Sequence, residues 1–133
     1  AFNRLNLLFK EIKNENPTIC ILGLSYKPNT HSIKNSASLH LLSQISNKYF
    51  IRMYDPKVKK LNKISKNTLI CKSPEEAIEN SDVICIMTPW DSFCKIFIKN
   101  NDKLKNISHI IDPFKLIDDK KNLGKIKVIQ RGN

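Results

Sequence analysis

The feature that most constrains this chain is a run of short, unbroken apolar segments separated by stretches with helical spacing. "TICILGL" at 18–24 and "VICIM" at 83–87 carry no alternating polar residue, so each reads as a strand buried on both faces. "FIRMYDP" at 50–56, "HIID" at 109–112 and the alternating "KIKVIQR" at 125–131 supply three more strands. Strands of this kind need apolar cover on both sides. Where amphipathic helices alternate with them, the architecture expected is an α/β protein: a doubly wound, mostly parallel sheet in three α/β/α layers.

The segments between the strands fit that reading. Phe2, Leu5, Leu8, Phe9 and Ile12 recur every three or four residues and draw one apolar stripe on a helix, which "NENP" ends at Pro17. That helix is already running at residue 1, so the chain reads as a piece of something longer. Ser36 is placed to cap a second helix with Leu39, Leu42 and Ile45 on its apolar face. "SPEE" at 73–76 is a helix start: Ser73 is the N-cap, Pro74 the first helical residue, and Glu76 completes a capping box. The helix is expected to end near "NSD". "WDSFCKIF", after Thr88-Pro89, reads as a further helix with Phe93, Ile96 and Phe97 on one side. A length of 133 residues, with no repeat or low-complexity linker, suits one domain.

Composition excludes several function classes. The longest apolar runs are far too short to cross a bilayer, and Arg4, Lys10, Glu11 and Lys13 break up any signal-peptide pattern, so the expected location is cytoplasmic. Cys20, Cys71, Cys85 and Cys94 lack zinc-site or CxxC spacing, and His31, His40 and His109 are scattered. Reduced core cysteines and no metal are expected. The net charge of +11 raises nucleic acid as a partner, but lysines recur along the whole chain with abundant Asn and Ile and form no basic patch. A nucleic-acid role is therefore not expected.

In open α/β sheets, ligands bind outside the carboxyl ends of the strands. "GLSYKPNT" at 23–30 lies there, yet the three-glycine dinucleotide fingerprint is missing: after Gly23 the next glycine is Gly124. Asp55 ends the second strand where such folds place a ribose-binding acid. It lies well beyond the usual spacing of about 20 residues from the glycine turn, and an Asp that simply closes a strand before Pro56 is the favoured alternative. The loop must then work through side chains. Lys27 and Lys34 offer compact positive charges suited to phosphate or sugar oxygens, and Tyr26 offers a face and a hydroxyl. The competing reading makes Tyr26 a core plug and both lysines solvated.

"ILGLSYKPNTHSIKNSASLHLL", "YDPKV", "SPEEAIENSDVICIMTPWDSF" and "IIDPFKLID", in this order and spacing, resemble the C-terminal, UDP-sugar-binding domain of the UDP-glucose/GDP-mannose dehydrogenase family. The first block is similar to the family's G-L-x-[FY]-K-x-x-T-x-D-x-R-x-S signature. The resemblance implies a Rossmann-like domain over residues 17–133, with residues 1–16 as the end of a helix from a central region outside this chain.

It also implies the activity of nucleotide-sugar 6-dehydrogenases, which oxidise a C6 hydroxyl to a carboxylate in two NAD-dependent steps. In such enzymes NAD is bound mainly by an N-terminal domain, and the thiol nucleophile sits in a "GGxC" context. Neither is found in this chain, so no catalytic residue is expected here, and the chain alone is expected to be inactive. By the same resemblance Tyr26 and Lys27 cover the nucleotide-sugar, Lys115 approaches the substrate, and Lys34 stands for an Arg that faces NAD. The match departs at that last point, with Ser32, Lys34 and Asn35 replacing the usual Asp, Arg and Glu; a lysine keeps the charge but not the two-pronged geometry. Trp90, in "TPWDSF", is expected to pack between helix and sheet rather than stack on a ligand. The full-length protein is expected to be a homodimer. The alternatives are a stand-alone nucleotide-binding module or a basic nucleic-acid-binding adaptor.

Overall fold

A computed structural model of the chain describes residues 17–24, 49–58, 67–88, 90, 93, 104–117 and 126–130. The described elements are β1 (Thr18–Leu22), β2 (Phe50–Tyr54), β3 (Thr68–Ile70), α1 (Pro74–Ile78), β4 (Val83–Ile86), β5 (His109–Asp112) and β6 (Lys127–Gln130). They form a six-stranded sheet of order β3-β2-β1-β4-β5-β6 in which every pairing is parallel. The chain direction across the sheet reverses between β1 and β4, which is the topological switch point of a Rossmann-like fold.

The two central strands carry the apolar runs that the sequence makes continuous. In β4 all four residues are buried, and in β1 all but Thr18. Alternate residues feed opposite faces. Cys20, Leu22, Ile84, Ile86 and Ile110 join one core with Ala77 and Ile78 of α1, and with Trp90, Phe93, Leu104, Ile107 and Ile117. Ile19, Ile21, Ile51, Met53, Val83 and Cys85 join the other with Leu24 and Val58. The two central strands are therefore dry on both faces, and each fully buried Ile or Leu contributes about 1.5–3 kcal/mol of transfer free energy.

Helix α1 begins as its sequence dictates: the Ser73 side chain accepts a hydrogen bond from the Glu76 N–H at 3.1 Å, and Pro74 opens the first turn. It stops at Ile78, short of "NSD", where Asn80 takes a positive φ and the Ser81 hydroxyl donates to the Ala77 carbonyl. Arg52, in the middle of β2, donates through Nε and a terminal nitrogen to the Glu76 carbonyl, lashing the helix to the sheet.

One strand was not anticipated. β3 is three residues long and its Leu69 is exposed, so it shows neither a continuous apolar run nor a measurable alternation. Pairing with β2 (Ile51 with Thr68, Met53 with Ile70) is what makes it a strand. The helices expected over 1–16, after Ser36 and through "WDSFCKIF" lie outside the described residues, save Trp90 and Phe93.

Candidate functional site

At the carboxyl ends of β1, β2, β4 and β5 the chain that follows each strand is held by two buried carboxylates. At the switch point, Gly23 has φ +104, and a Cβ there would lie 2.5 Å from Cβ of Thr88 and 2.6 Å from its backbone nitrogen. Only glycine fits, both for its backbone conformation and for the space. The missing side chain lets the end of β1 abut the end of β4, where the Met87 N–H donates to the Leu22 carbonyl.

Asp55 is the first carboxylate, 1% exposed. Its Oδ1 accepts the backbone N–H groups of Lys57 (2.8 Å) and Val58 (3.0 Å), closing the turn after β2. Its Oδ2 accepts the Leu24 N–H at 2.7 Å and the Trp90 indole N–H at 3.3 Å. One side chain thus ties together the loops that follow β1, β2 and β4. Both oxygens are engaged inside the protein, which decides between the two readings of this residue: Asp55 closes its strand and holds the neighbouring loops. Trp90 likewise packs in the core, with Phe93 and Leu22, and spends its one polar atom on Asp55.

Asp112 is the second carboxylate, fully buried at the end of β5 and, like Asp55, followed by proline. Its Oδ1 accepts the Leu116 N–H and its Oδ2 the Ile117 N–H, each at 2.9 Å. Gln130, from β6, donates through Nε2 to Asp112 Oδ2 and to the Ile117 carbonyl, each at 2.9 Å. Lys115 sits at the crest of this turn, exposed, with φ 56. For a residue with a Cβ that conformation costs roughly 1 kcal/mol or more.

Of the residues proposed from sequence as ligand contacts, Lys115 is therefore placed, on a rim loop at the carboxyl end of the sheet. Tyr26, Lys27 and Lys34 lie outside the described residues. Sequence reasoning missed Asp112 and Gln130. The repeated Asp-Pro after a strand was a usable signal for the first; a lone Gln in the last strand offered none.

The described residues do not make a dinucleotide cradle. Gly23 gives its open space to Thr88, not to a pyrophosphate, and the Asp55 oxygens already accept four donors. Nor do they present a reactive thiol. Cys20, Cys71 and Cys85 are free and buried; burial pushes all three thiols up, Cys85 to about 12. Among the described residues no group of three or more His, Cys, Asp or Glu could hold a metal ion, and no helix is long and apolar enough to cross a membrane. An open depression of about 360 Å³ lies at the other end of the sheet, against the amino ends of β1, β2 and β3, lined by Thr18, Phe50, Arg52, Asn67, Leu69 and Asn80. It is remote from the loops after β1, β4 and β5, and its one cationic side chain is held by the Glu76 carbonyl.

Comparison with known proteins identifies the domain. Residues 20–119 match the model of the UDP-glucose/GDP-mannose dehydrogenase family, UDP binding domain. The UDP-glucose 6-dehydrogenase of Rickettsia typhi is 32% identical over 117 residues, covering 85% of this chain and 26% of its own length. The UDP-N-acetyl-D-mannosamine dehydrogenase of Methanococcus vannielii is 30% identical over 127 residues, covering 89% and 26%. Among solved structures, the UDP-D-ManNAc dehydrogenase of Pyrococcus horikoshii superposes with a TM-score of 0.69 at 25% identity, over 97% of this chain and 28% of that one. The chain spans about a quarter of the length of these relatives. With the match to the family's UDP binding domain running through β1, β2, β4, β5 and both carboxylate-held loops, the chain belongs to the UDP-glucose/GDP-mannose dehydrogenase family.

Proposed function

We propose that this chain binds a UDP-sugar at the carboxyl end of its sheet, as the substrate-binding domain of an NAD-dependent nucleotide-sugar 6-dehydrogenase of the UDP-glucose to UDP-glucuronate type. The observation that carries the reading is the match of residues 20–119 to the family's UDP binding domain. The organised loops at the switch point, where open α/β sheets take their ligands, support it. UDP-glucose is the sugar nucleotide proposed because the Rickettsia relatives carry that name.

In this reading Tyr26 and Lys27 cover the nucleotide-sugar, and Lys115 offers positive charge to its phosphates from the turn after β5. Lys34 faces the cofactor side of the cleft. NAD would supply hydride acceptance and is held mainly by an N-terminal domain, since the residues described here do not fit it. Among the described residues no thiol suits the nucleophile, because desolvation keeps Cys20, Cys71 and Cys85 protonated, the state least suited to attack. Cys94, which lacks the "GGxC" context, is not assigned that role either. The chain alone is then catalytically inert, and the full-length protein is a cytoplasmic homodimer joined mainly through a central region outside this chain.

The test is calorimetric titration of the chain with UDP, UDP-glucose, GDP-mannose and NAD at two salt concentrations, alongside Lys27→Ala. UDP-selective binding that weakens in Lys27→Ala is the expected result. Equal binding of all four ligands that disappears in salt would sink the reading and leave only the charge of the chain.

A further inference from the structure

The turn after β5 holds a lysine where a glycine would sit without strain. The Lys115 N–H donates to the Asp112 carbonyl at 3.2 Å, closing a turn with Pro113 at its second position. The chain must then reverse at residue 115 for the N–H groups of Leu116 and Ile117 to reach back to the Asp112 carboxylate. That reversal is the left-handed conformation at Lys115. Gln130 bridges the same carboxylate to the Ile117 carbonyl, so β6 fixes the far side of the turn. Asp112 and Gln130 are 0% and 5% exposed, so these contacts are made inside the protein.

A left-handed position filled by a long cationic residue persists because its surroundings over-determine it, and strain of this kind clusters at ligand-binding sites. β5 stands two strand positions from β1, about 10 Å across the sheet, on the same carboxyl rim. We propose that Asp112 and Gln130 are positioning residues that hold the Lys115 backbone left-handed, so that its ammonium group is presented to the diphosphate of a bound nucleotide. This rests on the reading that the carboxyl end of the sheet binds a UDP-sugar. It adds to that reading two buried residues that touch no ligand yet set the affinity.

The test is a double-mutant cycle on the whole chain, with UDP as the probe and thermal unfolding measured in parallel. Lys115→Gly relieves the backbone and removes the charge: Tm is expected to hold or rise, while UDP affinity falls about tenfold, the loss of one charge-assisted contact. Gln130→Met keeps the length of the side chain and removes the bridge; it is expected to weaken UDP binding in the Lys115 background and to have no further effect in Lys115→Gly. Gln130→Met is preferred to Asp112→Asn because the latter strips the whole turn. Wild-type affinity retained in Lys115→Gly, or a Gln130→Met penalty equal in both backgrounds, would overturn the positioning role and leave the UDP site standing. A wild-type chain that does not bind UDP would overturn the functional reading and this inference with it.

Discussion

The indole nitrogen of Trp90 donates to the same Asp55 oxygen that accepts the Leu24 N–H, so the loops after β1 and β4 share one acceptor. Asp55→Asn should be costly although it is isosteric. An amide offers one acceptor oxygen, and its NH2 group would face either the Lys57 and Val58 pair or the Leu24 and Trp90 pair. Two buried donors lose their partner, for a loss of about 2–4 kcal/mol. Trp90 is the sole tryptophan, so its emission during urea unfolding gives the midpoint directly and its native spectrum reports the altered contact. Trp90→Phe should cost less in hydrogen bonding, about 1 kcal/mol. Equal stability of wild type and Asp55→Asn would show that the carboxylate holds nothing together.

Gly23→Ala is expected to be the most damaging single-methyl change in the described residues. The added carbon meets Thr88 Cβ, Oγ1 and backbone nitrogen at 2.5–2.7 Å while the backbone stays at φ +104. Overpacking and strain together predict a loss of about 3 kcal/mol or more, read as a lowered urea midpoint or as failure to purify folded chain. A variant within about 0.5 kcal/mol of wild type would mean that the ends of β1 and β4 separate easily.

Alkaline pH should destabilise the chain by way of its buried thiols. The Cys85 thiol is raised from its ordinary 9.0 to about 12 by burial, and Cys20 and Cys71 move in the same direction for the same leading reason. A raised folded value means that the unfolded chain loses its protons first. The stabilisation is fully present below about pH 9 and drains away between there and about pH 12. Tm measured under reducing conditions should fall above about pH 9, and the fall should be shallower in a Cys20→Ala/Cys85→Ala double variant. Tyr54, also raised by burial, adds a smaller decline at the upper end of that window. A Tm that rises with pH in this range would contradict the burial of the thiols.

Ser73→Ala should cost about 1 kcal/mol by removing the acceptor for the Glu76 N–H, and Ser73→Asp should restore most of it, since either oxygen can cap and a negative charge suits a helix start. Because α1 packs against β1 and β2 and its Ala77 and Ile78 enter the core, the loss should appear in global unfolding and not merely as local fraying. Denaturation of the two variants side by side checks it.

The sequence alone settled those features whose causes are local. Unbroken apolar runs marked β1 and β4, a seven-residue stretch ending in Asp-Pro marked β2, and Ser73-Pro74 with Glu76 marked α1. The four ordered blocks carried the family, which the match over residues 20–119 bears out. Tertiary structure decided what depends on partners far away in the chain. β3 exists as a strand because β2 pairs with it. Gly23 is required because Thr88 arrives from the segment after β4. Asp55 takes its donors from positions as far as 35 residues off, and Asp112 needs Gln130. A carboxylate at a strand end reads the same in sequence whether it caps a turn or meets a ligand. Which of the two it does depends on whether its oxygens are already filled when the sheet closes, and only the folded chain brings those donors together.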